Sequence, residues 1–383
     1  MKKAVSALLL FIILLLSGCS ASSDINERVI IQGIGIDLSD SGGLAVTVQA
    51  LNKNTYSGIG GTKVPENLVD NYFLEGKTVA DALSSLPEKA GDLPLYTHTR
   101  IILIGEKLAR KGVKEIIDYF SRDSSCRANL HIAVCEKSAR EILISSEDKE
   151  SIPAVEIENA VKSTEFGSNT VDVHIYEFLK MYREKTTACF LPVIKLIKGD
   201  NNASYEIEVS STAVFDEDKL TQFLNKNESF CLLLFNNKLK KGTYSVEMNN
   251  GTKASFNFCK AKTKVDVGKS ESYPVFDVNL KCTFDNVEFI SSNGDELNEK
   301  MYNDLRTALE SQLSDEMSAF LNKMSKEYSL DCMRLGRVLL IKQPDKYKEF
   351  ENNWNEILKK TKINVKSSVN IRRIGQENGK SAL

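Results

Sequence analysis

Cys19 is the residue whose setting most clearly predicts a chemical modification. Two lysines open the chain, an uncharged apolar run extends from Leu8 to Leu16, and Leu16-Ser17-Gly18-Cys19 closes it. This run is shorter than the roughly 20 apolar residues of a membrane span, and a basic start before it is typical of an export signal. Leu-Ser-Gly-Cys resembles the bacterial lipobox, in which the Cys is lipidated and becomes the first mature residue. We expect a lipoprotein signal peptide at residues 1–18 and lipidation of Cys19, the alternative being an ordinary signal peptide with an incidental Cys.

Three histidines are the other candidates for acid–base chemistry near neutral pH. His98, His131 and His174 share no motif, and no nucleophile or carboxylate pattern frames them, so a structural role is predicted for each. A Gly-x-Ser-x-Gly elbow is absent from the sequence, and Ser146-Glu147-Asp148-Lys149 lacks the companion elements of a serine acylase. We therefore predict a protein that is not an enzyme, with no catalytic residue, no cofactor and no metal site.

A short glycine motif suggests nucleotide binding only at first sight. Gly33-Ile34-Gly35-Ile36-Asp37 begins like a dinucleotide fingerprint. It lacks the third glycine and the helix that would follow, so nucleotide binding is rejected.

Seven cysteines lie beyond Cys19, widely spaced and without a Cys-x-x-Cys pair. This spacing argues against a zinc or redox motif. Cys135 and Cys231 lie in strongly apolar runs, where a thiol packs as a small hydrophobic group. Most of the seven are predicted to be packing residues. A disulfide between two of them is the alternative, because an exported chain can form one.

Length and composition predict the general organisation. The 383 residues with 42% hydrophobic content favour two or three domains. Loss of the signal peptide leaves 48 basic and 52 acidic residues. The sequence has no long basic run, so a nucleic-acid partner is not predicted. Residues 19–26 form a lipidated tether with a reach of roughly 15 Å beyond Cys19, which keeps the body close to the bilayer.

Residues 27–198 are predicted to form a mixed α/β region, which could comprise two subdomains, because strand and helix patterns alternate there. The predicted strands are Val29–Asp37, Leu44–Leu51, Ile101–Ile104 and Asn129–Val134. The predicted helices start at Thr78, around Val113, at Ser138 and within residues 153–182. The boundary is placed at Lys198–Ala203, the stretch that has the least regular pattern.

Residues 204–376 are predicted to form an α+β domain, followed by a tail at 377–383. The predicted strands are Glu206–Phe215, Cys231–Asn236, Thr243–Met248, Lys253–Lys262, Val275–Phe289 and Ile363–Ile374. One long helix carries an apolar stripe from Leu297 to Met324, which we expect to pack on its own domain; a docking surface for another protein is the alternative. A second helix is predicted at Tyr347–Lys360. The fold class is α+β and multidomain, with a mixed α/β first half, and an antiparallel sheet with one long packed helix in the second.

Tyr96 to Gly112, followed by Ser121-Arg122-Asp123 and Arg127, resembles the spore germination lipoproteins of the Ger(x)C family. One departure is Ser20, where the family often has Trp after the lipidated Cys. Further agreement extends along the mature chain, at Asp24, Glu27, Gly33 to Asp37, Ser211 to Phe215, Lys219-Leu220, Asp331, Leu335-Gly336, Trp354 and Gly375.

The resemblance implies the C subunit of a nutrient germinant receptor, a non-enzymatic, multidomain α/β lipoprotein required to trigger germination. It implies a lipid-anchored location on the outer face of the spore inner membrane, with membrane-embedded A and B subunits as partners. From the residues themselves, Arg122 to Arg127 ends a helix, where local structure is favoured over a subunit contact. The alternatives in function are a solute-binding lipoprotein of an uptake system, which would normally need two similar α/β lobes, and an exported enzyme.

Overall fold

The computed structural model describes residues 28–53, 67–123, 125–127, 129–145, 151–167, 170–198, 205–248, 250–270, 272–291 and 298–372. The predicted signal peptide, Cys19, the tether, the tail and the Ser146 to Lys149 segment lie outside these residues. Among the helices of the described ranges, none has both the length and the apolar composition to cross a membrane.

The larger of two sheets has a parallel centre and antiparallel margins. Its strands are β1 (Arg28–Leu38), β2 (Leu44–Leu51), β3 (Val69–Gly76), β4 (Leu93–Leu95), β5 (Ile101–Gly105), β6 (His131–Cys135), β7 (Phe190–Lys198), β8 (Tyr205–Asp216) and β9 (Lys219–Leu224). They run in the order β3-β2-β1-β5-β6-β7-β8-β9, with β4 paired to β1. Strands β1, β5, β6 and β7 are mutually parallel, and the outer pairs are antiparallel.

Helices cover both faces of this sheet, because its central strands are apolar on both sides. They are α1 (Val79–Ser84), α2 (Leu86–Ala90), α3 (Glu106–Lys111), α4 (Lys114–Arg122), α5 (Ala139–Leu143), α6 (Pro153–Gly167) and α7 (Ile175–Tyr182). Along β5, Ile102 and Ile104 join the main core with α3, α4 and α7. Ile101 and Leu103 face the other way into a smaller core with α5 and α6. The mixed α/β prediction is confirmed.

The smaller sheet carries the long helix. Its strands are β10 (Thr243–Glu247), β11 (Lys253–Val267), β12 (Val275–Ile290) and β13 (Lys362–Arg372), in that order. Strands β10, β11 and β12 are antiparallel, and β13 joins parallel to β12 after a helical crossover. The remaining helices are α8 (Lys226–Phe235), α9 (Glu299–Asn322), α10 (Leu335–Lys342), α11 (Pro344–Phe350) and α12 (Trp354–Lys360).

Helix α9 packs its apolar stripe on this sheet, as predicted for the stripe's own domain. Glu310 accepts a hydrogen bond from the Val369 backbone at 2.9 Å, and Ser314 bonds Ser367 at 2.7 Å, so polar contacts to β13 flank the stripe. The helix continues into a π-helical turn at Lys323–Tyr328. The buried side chains of α9 are Leu305, Leu309, Leu313, Met317, Phe320 and Leu321.

The strand predicted at Cys231–Asn236 is wrong, because this segment forms the end of α8. Asn225 and Glu228 form a reciprocal capping box, with side chain to backbone distances of 3.0 and 2.9 Å, which fixes the helix start. The helix contacts β8, β11 and α9, and is therefore apolar on nearly every side. A continuous apolar run of this length cannot be assigned to helix or strand from periodicity alone.

The single helix predicted at Tyr347–Lys360 is also different in the structure. It is divided into α11 and α12 by a 3-10 turn at Glu351–Asn353. Pro344 is the first residue of α11, where a missing backbone N–H costs nothing.

The larger sheet continues across the predicted boundary at 198–204. Lys198 pairs with Tyr205, and β8 follows β7 along its whole length before β9 closes the sheet at Leu224. Two strands from the predicted second region therefore belong to the sheet of the first. The boundary between domains stays a prediction.

Candidate functional site

A polar cavity of about 320 Å³ opens where β5 and β6 begin. Arg100 immediately precedes β5, and His131 is the first residue of β6. The extended segment before α7 lies beside them, because the backbone N–H of Ile132 donates to the Val173 carbonyl at 3.2 Å. The cavity is lined by His98, Thr99, Arg100, Arg127, Asn129, Leu130, His131, Glu158, Lys162, Asp172 and His174.

Two of the three histidines meet in this cavity. His131 and His174 form an isolated antiparallel bridge, and their ring centroids are 4.2 Å apart. Nδ1 of His131 lies 2.8 Å from Oδ1 of Asp172. His98 is exposed on the rim. No sequence motif joins the histidines to Asp172 or Glu158, and the spacing of Asp172 and His174 is the one signal that the sequence offers.

Glu158 is the charged centre of the cavity wall. It accepts hydrogen bonds from Arg100 at 2.9 Å and from Lys162 at 2.5 Å, and lies 3.8 Å from Nε2 of His131. Burial opposes ionisation of Glu158, but the hydrogen bonds from Lys162 and Arg100 outweigh it and lower the pKa of this carboxyl. Glu158 is therefore a carboxylate at neutral pH, facing His131.

Glu177 is the carboxylate that lies beside His174. Its Oε2 lies 3.6 Å from Nδ1 of His174, and Lys238 lies 3.3 Å from its Oε1. The hydrogen bond with His174 lowers the pKa of Glu177 to about 2, with a further contribution from Lys238 against the effect of burial. The same hydrogen bond raises the pKa of His174. Each of the two histidines thus has a carboxylate beside it.

A second polar network lies where the two halves meet. Oδ1 of Asp331 accepts the Leu335 N–H at 2.9 Å, and Oδ2 accepts the Gly336 N–H at 2.8 Å and Nε1–H of Trp354 at 2.9 Å. Burial raises the pKa of Asp331 to about 6, although these three donors favour the carboxylate. The Asp331 carbonyl accepts the Ala188 N–H at 3.1 Å, which ties this loop to the first half.

Ion pairs reinforce the same junction. Nε of Arg334 donates to Glu184 at 3.0 Å, and Arg337 also contacts this carboxylate. A Cβ on Gly336 would lie 2.3 Å from the Thr186 hydroxyl, so only glycine allows the approach. These contacts have a structural role. They fix the start of α10 and hold this helix against the loop that precedes β7.

The glycine motif of β1 is structural as well. Asp37 accepts hydrogen bonds from the backbone N–H groups of Ala139 and Arg140, both at 2.9 Å, and from the Ser138 hydroxyl at 3.0 Å. It therefore caps the start of α5. A Cβ on Gly35 would lie 3.3 Å from the Ala139 backbone, so this glycine lets α5 approach the sheet. A hairpin to β2 follows β1, whereas a dinucleotide fingerprint leads into a helix.

Gly105→Ala is expected to destabilise the fold through this cap. The new Cβ would lie 1.9 Å from Oδ1 of Asp37 and force the carboxylate off α5, costing about 2–3 kcal/mol. Chemical denaturation of Gly105→Ala, Asp37→Ala and the double variant checks the mechanism. The double variant should be about as stable as Asp37→Ala alone; additive losses would contradict it.

The Arg122 to Arg127 segment makes contacts with its neighbours in sequence, and its local role stays a prediction. Helix α4 ends at Arg122, whose Nε donates to Asp118 at 2.9 Å. The Asp123 side chain then accepts the Ser125 N–H at 2.9 Å, which continues the chain in a turn. A groove of about 820 Å³ runs beside Tyr119 and Arg122.

The cysteines of the described residues are free thiols. Burial raises the pKa of Cys189 and Cys231 to about 12, which makes both poor nucleophiles. The fully buried members, which pack as predicted, are Cys135, Cys189, Cys231, Cys282 and Cys332.

Comparison with known proteins decides the family. Residues 21–196 match the family described as "Spore germination protein N-terminal domain", and residues 210–375 match "Spore germination B3/ GerAC like, C-terminal". The chain belongs to the Ger(x)C family of spore germination proteins.

Relatives in the Ger(x)C family match along nearly the full length. Spore germination protein KC of Bacillus subtilis (strain 168) is 24% identical, covering 98% of this chain and 97% of the relative. Spore germination protein B3 of the same strain is also 24% identical, covering 96% and 97%. A crystal structure of the GerBC protein superimposes with a TM-score of 0.59 at 21% identity, covering 88% of this chain and 96% of that one, and shows the same fold.

Some of the residues that carried the Ger(x)C resemblance lie in the two networks. Tyr96 to Gly112 forms one rim of the polar cavity and then β5 and α3. Asp331, Leu335-Gly336 and Trp354 are the buried junction itself. Asp24, Glu27 and Gly375 lie outside the described residues.

Proposed function

We propose that this chain is the lipid-anchored C subunit of a nutrient germinant receptor and acts with membrane-embedded A and B subunits without catalysing a reaction. The observation that carries the proposal is the family match from residue 21 to residue 375, directly after the lipobox-like Leu16-Ser17-Gly18-Cys19. The relatives are named as spore germination proteins, and germination is the process in which we place this chain.

The proposed anchor is lipidated Cys19 on the outer face of the spore inner membrane. Residues 20–26 give the body a reach of roughly 15 Å from the bilayer, so its docking surfaces stay beside membrane-embedded partners. Two acyl chains are sufficient for stable anchoring, whereas one gives only marginal binding.

A non-enzymatic role fits the chemistry of the described residues. The buried cysteines are held as thiols, and the Asp37 and Asp331 carboxylates are occupied by backbone N–H groups. The two halves also differ in architecture, one with a largely parallel centre and the other with a four-stranded sheet under a long helix. This difference supports the receptor subunit over a solute-binding protein with two similar lobes.

Cys19→Ala is expected to abolish membrane anchoring and slow the germination of spores exposed to nutrients, because no thiol remains for acylation. Detergent phase partitioning, intact mass and the rate of nutrient-triggered germination check this result. Cys259→Ala is the matched control, because Cys259 is a partly exposed thiol that lies far from the signal segment in sequence, and its loss should leave the anchor in place. Lipidation of the Cys19→Ala protein would show that another residue carries the acyl chains.

Partner binding needs its own measurement. Affinity purification of the detergent-solubilised lipoprotein should recover two membrane-embedded subunits from spores that express all three. An intact, anchored chain that recovers neither would contradict the receptor proposal while leaving the lipidation result unaffected.

A further inference from the structure

Three ligand-type side chains converge on one side of the start of β6. His131 pairs across the bridge with His174, and Asp172 stands two residues before His174 in the same extended segment. Alternation along an extended chain places Asp172 and His174 on the same side. One donor atom from each of the three side chains lies within 4.8 Å of the others. We propose that His131, Asp172 and His174 bind a divalent transition-metal ion, with Zn²⁺ the best match.

The donor set selects this class of ion. Two imidazole nitrogens and one carboxylate oxygen suit Zn²⁺ and its neighbours, whereas Mg²⁺ and Ca²⁺ prefer oxygen ligands alone. Zinc with three protein ligands keeps a fourth position for water. The cavity lined by all three residues supplies both that position and a path of entry.

Carboxylates outside the proposed ligand set lie near both histidines. Glu158 lies 3.8 Å from Nε2 of His131, and Glu177 lies 3.6 Å from Nδ1 of His174. These contacts assign Nδ1 of His131 and Nε2 of His174 to the ion. Metal-bound histidines usually give their other ring nitrogen to such a carboxylate, which fixes the tautomer and the ring orientation.

An unsatisfied polar group in the same cavity points independently to an occupant. The Thr99 side chain is only 5% exposed, and its hydroxyl has no hydrogen-bond partner in the described part of the chain. A buried hydroxyl without a partner is costly, and water held at the open position of a metal ion would supply one.

The existing His131–Asp172 contact needs only a small rearrangement. The two atoms are 2.8 Å apart, and tetrahedral ligands about 2.1 Å from zinc are separated by about 3.4 Å. Zinc binding would displace the proton that lies between Nδ1 of His131 and Oδ1 of Asp172, and would lengthen the distance between these two atoms by a fraction of an ångström. The site would then fasten the segment before α7 to the sheet, 41 residues away in sequence from His131.

Zinc titration of the full mature lipoprotein in detergent tests the proposal. Calorimetry with ZnCl₂ should show one ion per chain, and saturating zinc should raise Tm by about 3 °C or more. His174→Ala and Asp172→Asn should each weaken binding at least about tenfold. Both residues are partly exposed, so these variants should fold, and each one's Tm without zinc reports whether it does.

His98→Ala is the matched control, because His98 lies on the rim of the same cavity outside the ligand set. Its zinc affinity should equal that of the unchanged chain. Cobalt(II) used as a spectroscopic probe should give a tetrahedral spectrum without a near-ultraviolet thiolate band. Absence of zinc binding, equal binding by folded His174→Ala and Asp172→Asn, or a strong thiolate band would each overturn the site.

Discussion

Leu309→Asp is expected to unfold the C-terminal half of the protein at temperatures at which the unchanged chain stays folded. Leu309 is 0% exposed in the stripe that α9 packs on the smaller sheet. Loss of a buried leucine alone costs about 2–5 kcal/mol. An unpaired carboxylate in its place adds a desolvation cost, so we expect a loss of at least about 4 kcal/mol. Thermal unfolding of the purified mature chain, followed by circular dichroism, measures it.

Thr307→Asp is the matched control for Leu309→Asp. Thr307 is exposed on the same helix two residues earlier, and the change introduces the same charge. Its effect on stability should stay within about 0.5 kcal/mol. Equal melting temperatures for both variants, with receptor assembly lost only in Leu309→Asp, would restore the alternative in which the stripe docks another protein.

Asp331→Ala is expected to open the junction between the two halves. Asp331 is 1% exposed, and its removal would leave the N–H groups of Leu335, Gly336 and Trp354 without an acceptor. Each buried, unsatisfied donor costs about 1–3 kcal/mol, so a total loss of about 3 kcal/mol or more is expected. Trp354 is the single tryptophan of the sequence, so its fluorescence during urea unfolding reports on this junction directly.

Asp331→Asn and Glu349→Ala complete that experiment. Asparagine keeps one acceptor oxygen, so Asp331→Asn should lose less stability than Asp331→Ala. Glu349 is an exposed acid on α11, and its replacement by Ala should change stability by no more than about 0.5 kcal/mol. If Asp331→Ala unfolds at the same urea concentration as the Glu349→Ala control, the network does not stabilise the junction.

Local patterns were sufficient to predict elements whose surroundings are simple. Strands β1 and β2 are apolar runs on either side of a short turn, and α9 has a stripe at helical spacing, so each pattern is visible in the sequence alone. Helix α8 was mispredicted because it is covered on several sides and therefore shows no periodicity. Strand β3 was missed because it is an edge strand with polar residues such as Asp70, Asn71 and Glu75.

The two polar networks show why site prediction needed the structure. Asp331, Leu335 and Gly336 are close in sequence, but Trp354 reaches them only after two further helices. His131 and Asp172 are 41 residues apart and meet only because the segment before α7 pairs with β6. The sequence shows which residue types are present, whereas the contact depends on the order in which strands enter the sheet.

The order of strands also determines when the first half can finish folding. A chain that emerges N-terminal end first presents β7 before β8, which pairs with β7, and before β9, which pairs with β8. Until β8 has emerged at residue 216, the nine residues of β7 form a sheet edge with unpaired backbone groups, a surface that invites pairing with other chains. The two segments that the family descriptions separate are thus units of sequence, while the first unit of folding extends into the second.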